Sequence, residues 1–543
     1  MNWITEDADR EFETDIIHFN LFCMKKIFSL LPLFAALVFT GCSSDEDVLD
    51  KKGNGSKEYG YVAVNIVQPK SIGPRALSDG FEYGNSDENR AETGLFFIFS
   101  TDGNTLYGDP QTLTLTTTAG TGNNPEVEEN YKSVLVIDGA SEEPADLQIV
   151  CILNAPDGLG TGITSLSDLK AEIADYSAST PGAFIMSNSV YTGGLGATVD
   201  VSNIATSAAD ALANPVEIYV ERVVAKVRAH STSSFDNQGA NPNVDGAEKS
   251  LSIRVTGIEI ANIAQTSYLL KNIDGITHTW AWSDATNKRS YWETVPSDLA
   301  CGNKSYNDIA DADFDIKNVN YTEYIQPNTS AQHTAVLVTA ELLDGTDPFD
   351  FVYLRGGYFT PDNALSLIAE YIANKGYWKK TGESDYSQLA TTDFEWENKI
   401  DNAELTWLKS YEVVAKVKDG ISMYKKTGDN YVSVELDEVN SLLRGTEESH
   451  TYVAQYYKDG KCYYFVNIDQ SSVAGADPHT YDGVVRNHIY DLTLNSIKGI
   501  GTPVFDPSDV IVPDKPEDED LWFLSAHINV LAWKLVTQNV DFE

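Results

Sequence analysis

The residue types that catalyse reactions or bind metals are sparse in this chain and form no recognisable motif. The 543 residues include five cysteines and eight histidines, and no HExxH, GxSxG or Walker A pattern occurs. Asp311, Asp313 and Asp315 have the alternate spacing of a calcium-binding loop. However, Ile316 stands where such a loop needs glycine, and Thr322 stands where it needs glutamate. We therefore predict that the protein is not an enzyme, holds no metal ion and needs no cofactor.

The stretch before Cys42 has the composition of an export signal. Two lysines follow Met24, an apolar run occupies 27–39, and small residues precede Cys42. This order is typical of a secretory signal, and the run is shorter than the roughly 20 residues of a membrane-spanning helix. We expect Met24 to be the true start, residues 1–23 to be an upstream extension of the reading frame, and residues 24–41 to be the signal peptide.

Cys42 is the residue in this stretch with the clearest chemical role. Residues 39–42 resemble a lipobox, in which the cysteine becomes the lipidated N-terminus of a bacterial lipoprotein, although Phe39 replaces the usual Leu or Val. The acidic residues 45–47 resemble the surface-export signal of Bacteroidota lipoproteins, or else form an ordinary solvated linker. The net charge of −43 disfavours binding to nucleic acids and anionic membranes, so a lipid on Cys42 would provide the membrane attachment.

Most of the remaining chain has the pattern of short strands separated by turn residues. Val62, Val64 and Ile66, for example, alternate along one segment and would share one face of a strand. Helical patterns are weak, and the best candidates are 166–176 and 362–375. The sequence therefore predicts an all-β fold with few short helices, most simply a set of β-sandwich domains.

Changes in composition indicate the domain organisation. The run 216–229 is rich in valine and is predicted as a strand that a Glu-Arg pair interrupts, and we place a domain boundary near residue 220. The sequence Lys-Asp-Gly at 458–460, between two tyrosine-rich segments, predicts a hairpin turn. Residues 502–519 contain four prolines and a run of acids, which predicts a stiff connector before the last strands.

Several segments, most of them near the C-terminus, resemble those of one protein family. They are ERVVAKV at 221–227, YIQPNT at 324–329, KDGKCYY at 458–464, VRNHIYDL at 485–492, IKGIGTP at 497–503 and VLAWKLVTQNVDF at 530–542. These segments look like those of the fimbrillins, or type V pilins, of the Bacteroidales, and most of all like the shaft subunits of minor fimbriae. The resemblance is most specific after residue 450, and residues 231–450 are either diverged or carry something else.

The resemblance implies a fold and a mechanism of assembly. Such subunits are two stacked β-sandwich domains of the transthyretin-like, Greek-key type, and their precursors reach the cell outer membrane as lipoproteins. An arginine-specific surface protease cuts after the first strand, that strand leaves, and the C-terminal strand of a neighbouring subunit fills the groove. The expected function is therefore a structural subunit of a cell-surface fimbrium, which polymerises with itself and with other fimbrial subunits by donor-strand exchange.

The sequence offers residues for each step of this mechanism. Cleavage is expected between Arg75 and Ala76, in a loop with two prolines and two glycines, and Arg90-Ala91 is the second candidate. The leaving strand would contribute Val62, Val64 and Ile66, and the donor strand would contribute Val536, Val540 and Phe542. The expected parts are the propeptide at 42–75, an N-terminal domain at 76–220, a C-terminal domain at 221–505, and the connector with the donor strand at 506–543.

Two other functions remain as alternatives. One is a fimbrial tip adhesin with a binding site in residues 231–450, although the donor strand at the C-terminus favours a shaft subunit. The other is a surface glycan-binding lipoprotein, because the cluster of Trp280, Trp282, Tyr291 and Trp292 could stack on sugars. Such clusters more often belong to a core or form cross-strand pairs.

Overall fold

The computed structural model divides the chain into two compact units, Met1–Ser56 and Lys57–Glu543. The residues that the structure describes all lie in the second unit: 59–69, 84–118, 127–138, 146–175, 181–188, 197–199, 204–205, 207–213, 215–271, 295–296, 301–328, 334–399, 405–446, 448–449, 451–468, 484–513, 523–532 and 535–538. Cys42, Arg75, Ala76, Val540, Phe542 and the aromatic cluster at 280–292 lie outside these ranges, and the predictions for them stay predictions.

Strands dominate the described residues, which confirms the all-β prediction. The strands of the first 222 residues are β1 (Tyr59–Pro69), β2 (Thr93–Ser100), β3 (Gln111–Thr114), β4 (Thr116–Thr118), β5 (Val127–Asp138), β6 (Leu147–Leu153), β7 (Ile173–Asp175), β8 (Met186–Asn188), β9 (Ala197–Val199) and β10 (Val216–Arg222). All of these except β7 form one nine-stranded sheet, the N-terminal sheet, in the order β3-β2-β6-β8-β10-β1-β5-β4 with β9 beside β6.

The strands after residue 222 belong to other sheets. They are β11 (Ala225–Asn237), β12 (Asn243–Val244), β13 (Ala247–Glu248), β14 (Leu251–Ala261), β15 (Ile263–Ala264), β16 (Thr266–Tyr268), β17 (Cys301–Gly302), β18 (Asn320–Ile325), β19 (Ala335–Asp344), β20 (Asp347–Pro348), β21 (Phe351–Leu354), β22 (Gly357–Phe359), β23 (Tyr377–Lys380), β24 (Tyr386–Ser387), β25 (Phe394–Glu397), β26 (Val413–Val417), β27 (Met423–Thr427), β28 (Asn430–Val434), β29 (Val453–Tyr457), β30 (Lys461–Asn467), β31 (His488–Lys498), β32 (Thr502–Pro503), β33 (Phe523–Ala532) and β34 (Leu535–Gln538).

Two five-stranded sheets of this second group form a sandwich. The first has the order β18-β11-β31-β33-β34, and the second has the order β14-β19-β30-β32 with β20 beside β19. Alternate residues of the two sheets meet in shared apolar cores, for example Val227 and Leu492 from the first with Ile260 and Val336 from the second. A seven-stranded sheet, β13-β12-β22-β21-β29-β26-β25, and a four-stranded sheet, β24-β23-β27-β28, make up the other large sheets after residue 222, and all their strands except β29 lie before residue 450.

Helices are few and short, as the sequence predicts. Those in the described ranges are α1 (Ser86–Asn89), α2 (Leu166–Lys170), α3 (Ala208–Ala213), α4 (Tyr306–Ile309), α5 (Pro361–Asn374) and α6 (Leu436–Arg444), with single 3₁₀ turns at Ile316–Asn318, Thr391–Asp393 and Lys458–Gly460. None of these helices has the length and apolar character that a membrane crossing requires. The helix predicted at 362–375 is confirmed by α5.

Two predictions about local structure need correction. The helix predicted at 166–176 ends at Lys170, because the next residues form β7 and pair with β16. The predicted strand at 216–229 is two strands, and the break falls at Val223 and Val224 rather than at the Glu-Arg pair. Both valines are buried. The chain crosses at this point from the N-terminal sheet to the sandwich.

The predicted turn at 458–460 is confirmed and links β29 to β30. Asp459 and Gly460 both have positive φ values, 54° and 66°, as a tight hairpin turn requires. A Cβ atom on Gly460 would lie 2.3 Å from the Leu342 carbonyl oxygen. Glycine is therefore needed here for its backbone conformation and for its lack of a side chain.

Candidate functional site

The first strand, β1, lies inside the N-terminal sheet rather than at its edge. On one side it pairs antiparallel with β5 from Tyr59 to Pro69, and on the other it pairs parallel with β10 from Val64 to Val67. Each neighbour therefore depends on β1 for the main-chain hydrogen bonds along the edge that faces it. Removal of β1 would leave a slot with an open strand edge on both sides.

The predicted strand face of Val62 and Val64 points into the N-terminal core. Both side chains are fully buried, together with Leu135 of β5 and Ile218 of β10. Burial of a valine side chain stabilises a protein by roughly 1.5–3 kcal/mol, so these two valines stabilise the packing of β1 in the sheet by several kcal/mol. Ile66, further along β1, is paired in register with Ile218 of β10.

A buried carboxylate fixes the segment that follows β1. Glu88 is the last acidic residue of α1, whose N-cap Asn85 forms a capping box with it. Its carboxylate accepts hydrogen bonds from the Lys226 ammonium at 2.6 Å and from the Tyr324 hydroxyl. Burial alone would raise the pKa of Glu88, but the Lys226 and Tyr324 hydrogen bonds outweigh burial and keep the pKa below its ordinary value.

Arg222 adds a second set of bonds to the same helix. Its guanidinium donates to the Glu88 carbonyl oxygen at 2.7 Å, to the Asn89 side-chain oxygen, and to Oδ1 of Asn487 at 3.2 Å. We call Glu88, Asn89, Arg222, Lys226, Tyr324 and Asn487 the junction cluster. The cluster ties α1 to β10 of the N-terminal sheet, to β11 and β18 of the sandwich, and to the residue that immediately precedes β31.

Two buried cations beside the junction cluster have partners of their own. Lys271 forms an ion pair with Glu221 at 2.7 Å, and both side chains are almost fully buried. The Arg486 guanidinium donates to the carbonyl oxygens of Tyr268 at 2.8 Å and Leu269 at 3.2 Å. The ERVVAKV and VRNHIYDL segments, which are far apart in sequence, therefore meet around one polar interior.

Arg90, the second candidate for cleavage, follows α1 directly. Its side chain is 59% exposed and pairs with Glu92. The backbone around it is bonded, however: the Asn154 side chain donates to the Arg90 carbonyl oxygen at 2.9 Å and accepts from the Glu92 N–H at 3.3 Å. Ala91 packs against the N-terminal core. The Arg90 side chain is thus accessible to a protease, but the backbone on both sides of the Arg90-Ala91 bond is held by hydrogen bonds.

The described part of the predicted donor segment lies at an edge of the sandwich. β34 pairs antiparallel with β33, so that Val536 is opposite Val530, and β33 pairs with β31. In the sheet order β34 is the last strand. Val536 is thus in a strand as the sequence predicts, but that strand is folded back on its own subunit in a hairpin.

Sequence reasoning found the strand positions of this site but missed the junction cluster. The partners of Glu88 are 138 and 236 residues away, and Asn487 is 265 residues from Arg222. A signal was present in the charged residues that interrupt the valine-rich run at 216–229, because charges in a buried strand must have partners. Among the described residues, no group of three or more histidine, cysteine, aspartate or glutamate side chains could hold a metal ion.

Comparison with known structures gives distant similarities. The chain is similar to a proposed cell adhesion protein from Parabacteroides distasonis, at 13% identity and a TM-score of 0.41, with 88% of this chain and 98% of that chain covered. It is also similar to the tip fimbrial protein Mfa3 from Porphyromonas gingivalis, at 13% identity and a TM-score of 0.29, with 88% and 100% covered. A fimbrial assembly protein from Parabacteroides distasonis gives 10% identity and a TM-score of 0.28, with 68% and 100% covered.

Comparison of sequences gives a more specific result. No curated protein sequence matches this chain significantly. Residues 455–539 match the family described as major fimbrial subunit protein type IV, fimbrillin, C-terminal. The match spans β30 to β34 and includes Asn487 of the junction cluster, and it indicates a role in a fimbrium, a cell-surface appendage. The C-terminal region of this chain therefore matches the fimbrillin family, which confirms the resemblance seen in its sequence.

Proposed function

We propose that the protein is a structural subunit of a fimbrium, exported as a lipoprotein anchored through Cys42, cut after an arginine and polymerised by donor-strand exchange. The single observation that carries this proposal is the position of β1. It is an interior strand with two fully buried valines and a partner on each side, and it precedes the loop in which cleavage is expected. A protein that loses such a strand must replace it.

The pairing of β1 defines what the replacement must look like. A donor strand has to run antiparallel to β5 and parallel to β10, in the direction of β1 itself. It must also present aliphatic or aromatic side chains at positions two residues apart. Val540 and Phe542 have this spacing, and Val536 lies on the same face. In the proposal, β34 leaves its hairpin, which disrupts pairing with β33, and enters the neighbouring subunit's slot.

Backbone bonding supports Arg75 rather than Arg90 as the processing site. A protease needs several residues around the cut bond in an extended and accessible form. Around Arg90, the preceding Glu88 is buried in the junction cluster, and the Asn154 side chain binds the backbone on both sides of the bond. Cleavage there would require α1 to leave the junction cluster. The favoured cut after Arg75 removes β1 and leaves α1 in place.

Limited digestion of the precursor with an arginine-specific protease tests the proposal. We expect a new N-terminus at Ala76, followed by oligomer ladders on size-exclusion chromatography and filaments in electron microscopy. Deletion of 536–543 should abolish the filaments without changing the cut, and Arg75→Gln should abolish both. Arg90→Gln is the matched control and should change neither. A cut at Ala76 that leaves only monomers would contradict donor-strand polymerisation.

A further inference from the structure

The four-stranded sheet β24-β23-β27-β28 has one face that is packed and one that is not. The packed face contributes Tyr377 and Met423 to a core shared with Ile368 of α5 and Val439 of α6. The sheet lies within residues 377–434, before the fimbrillin match at 455–539. The other face of the sheet lies outside both this core and the residues that match the fimbrillin family.

Four aromatic side chains cover this outer face, and each is partly exposed. Trp378 packs edge-on against Tyr431 with 5.9 Å between ring centroids, Tyr386 stacks on Tyr431 at 4.0 Å, and Tyr424 meets Tyr386 at 5.0 Å. The three phenol hydroxyls make no hydrogen bond to any described residue, so they are available to a ligand. We call these four residues, together with Lys380 and Lys426, the aromatic face.

The two lysines of the aromatic face lie over its rings. The Lys426 ammonium is 5.6 Å from the Trp378 centroid and 5.8 Å from that of Tyr431, and the Lys380 ammonium is 5.9 Å from that of Tyr424. Neither lysine forms an ion pair with a described carboxylate. No acidic residue occupies a strand position on this face. The acids of the β23–β24 turn, at 383 and 385, lie at one end of it, and Asp429 of the β27–β28 turn lies at the other.

We propose that the aromatic face binds a polysaccharide that carries carboxylate groups, such as a polymer of uronic acids. Aromatic rings offer apolar surface for the C–H faces of sugar rings, and the phenol hydroxyls can bond sugar hydroxyls. The two unpaired ammonium groups are the complementary charge for carboxylates. The protein as a whole carries a net charge of −43, which would repel an anionic polymer. At physiological ionic strength, however, salt screens exposed charges beyond ~8 Å, so the nearby lysines act more strongly on a bound carboxylate than distant acids do.

Binding at the aromatic face is independent of the fimbrial role, since all six residues of this face lie outside the fimbrillin match at 455–539. Lys425 provides a matched control: it is exposed, it is adjacent to Lys426 in β27, and it lies on the opposite face, where its ammonium is 3.2 Å from the Tyr377 hydroxyl. Variants of Lys380 and Lys426 change only exposed side chains and should leave the fold intact.

Titration calorimetry of the full chain with polygalacturonate, neutral dextran and poly-L-glutamate tests the inference. We expect binding to polygalacturonate only, weakened about tenfold by the double change Lys380→Gln and Lys426→Gln and unchanged by Lys425→Gln. Tyr431→Ala should weaken it further. Four outcomes would each overturn the proposal: no binding to polygalacturonate, equal binding to dextran, equal binding to poly-L-glutamate, or equal weakening by Lys425→Gln.

Discussion

Arg222 and Asn487 are 265 residues apart in sequence, and their side chains are joined by a buried hydrogen bond of 3.2 Å. Arg222 ends β10 of the N-terminal sheet, and Asn487 immediately precedes β31 of the sandwich. The Asn487 backbone has a φ of 58° and its N–H donates to the Val224 carbonyl oxygen at 2.8 Å. This contact therefore links the two halves of the described chain at the point where the chain crosses from one to the other.

We expect Arg222→Ala to lower the free energy of unfolding by about 3 kcal/mol, because the side-chain oxygens of Asn89 and Asn487 lose a buried donor. Urea unfolding followed by circular dichroism measures the change. Arg228→Ala is the control: Arg228 pairs with Asp491 at 2.8 Å in a partly exposed position, so the loss should be about 1 kcal/mol or less. Equal losses for the two variants would contradict the role given to Arg222.

Glu88 should make the stability of the protein depend on pH. Its folded pKa lies below the ordinary 4.5, so its stabilisation is fully present above 4.5 and is lost as the pH falls through the folded pKa. At neutral pH, Glu88→Gln should therefore cost about 2 kcal/mol of unfolding free energy, and the difference from the wild type should disappear in acid. Glu92→Gln, at an exposed position, should show no such dependence.

Thermal unfolding of the wild type and both variants across this pH range provides the measurement. If the Glu88→Gln difference stays constant from neutral pH into acid, the carboxylate does not contribute through its charge.

The bond after Arg90 should become sensitive to proteases when Asn154 loses its side chain. Asn154 has a φ of 51°, so Asn154→Gly removes the two bonds to the Arg90 segment while the backbone conformation is kept. We expect cleavage after Arg90 to accelerate roughly tenfold, read by N-terminal sequencing of timed digests. Asn262→Gly, at a buried residue that also has a positive φ, controls for general destabilisation. Rapid cleavage after Arg90 in the unmodified protein would refute the shielding.

Gly460 and Gly428 allow a test of how strongly the hairpin of β29 and β30 depends on the glycine in its turn. Both lie in hairpin turns with positive φ, 66° and 62°, but only at Gly460 would a Cβ atom collide with backbone, the Leu342 carbonyl oxygen. Gly428→Ala should cost about 1 kcal/mol, the penalty of the left-handed conformation alone. Gly460→Ala should cost clearly more, about 3 kcal/mol or above, in the same urea experiment.

The sequence was sufficient for features that depend on neighbouring residues. The alternation of Val62 and Val64, the turn at 458–460 and the helix at 362–375 are local patterns, and the structure confirms them. The second half of the helix predicted at 166–176 failed because pairing with β16, far along the chain, outweighs local helix propensity. The partners of Glu88 and Arg222 could not be predicted, because pairing between distant polar residues leaves no periodic pattern.

A free copy of the first strand should compete with polymerisation. If β1 is replaced during assembly, a peptide with the sequence of 59–69 should bind the protein cut after Arg75 and suppress filament growth, because it restores pairing with both β5 and β10. The same peptide with Val62 and Val64 changed to asparagine should not inhibit filament growth, since two polar amides would then occupy fully buried positions. Filament mass followed by light scattering at increasing peptide concentration gives the readout. Equal inhibition by both peptides would mean that the slot does not select for the β1 side chains, and filament growth unaffected by either would place the polymer contact elsewhere.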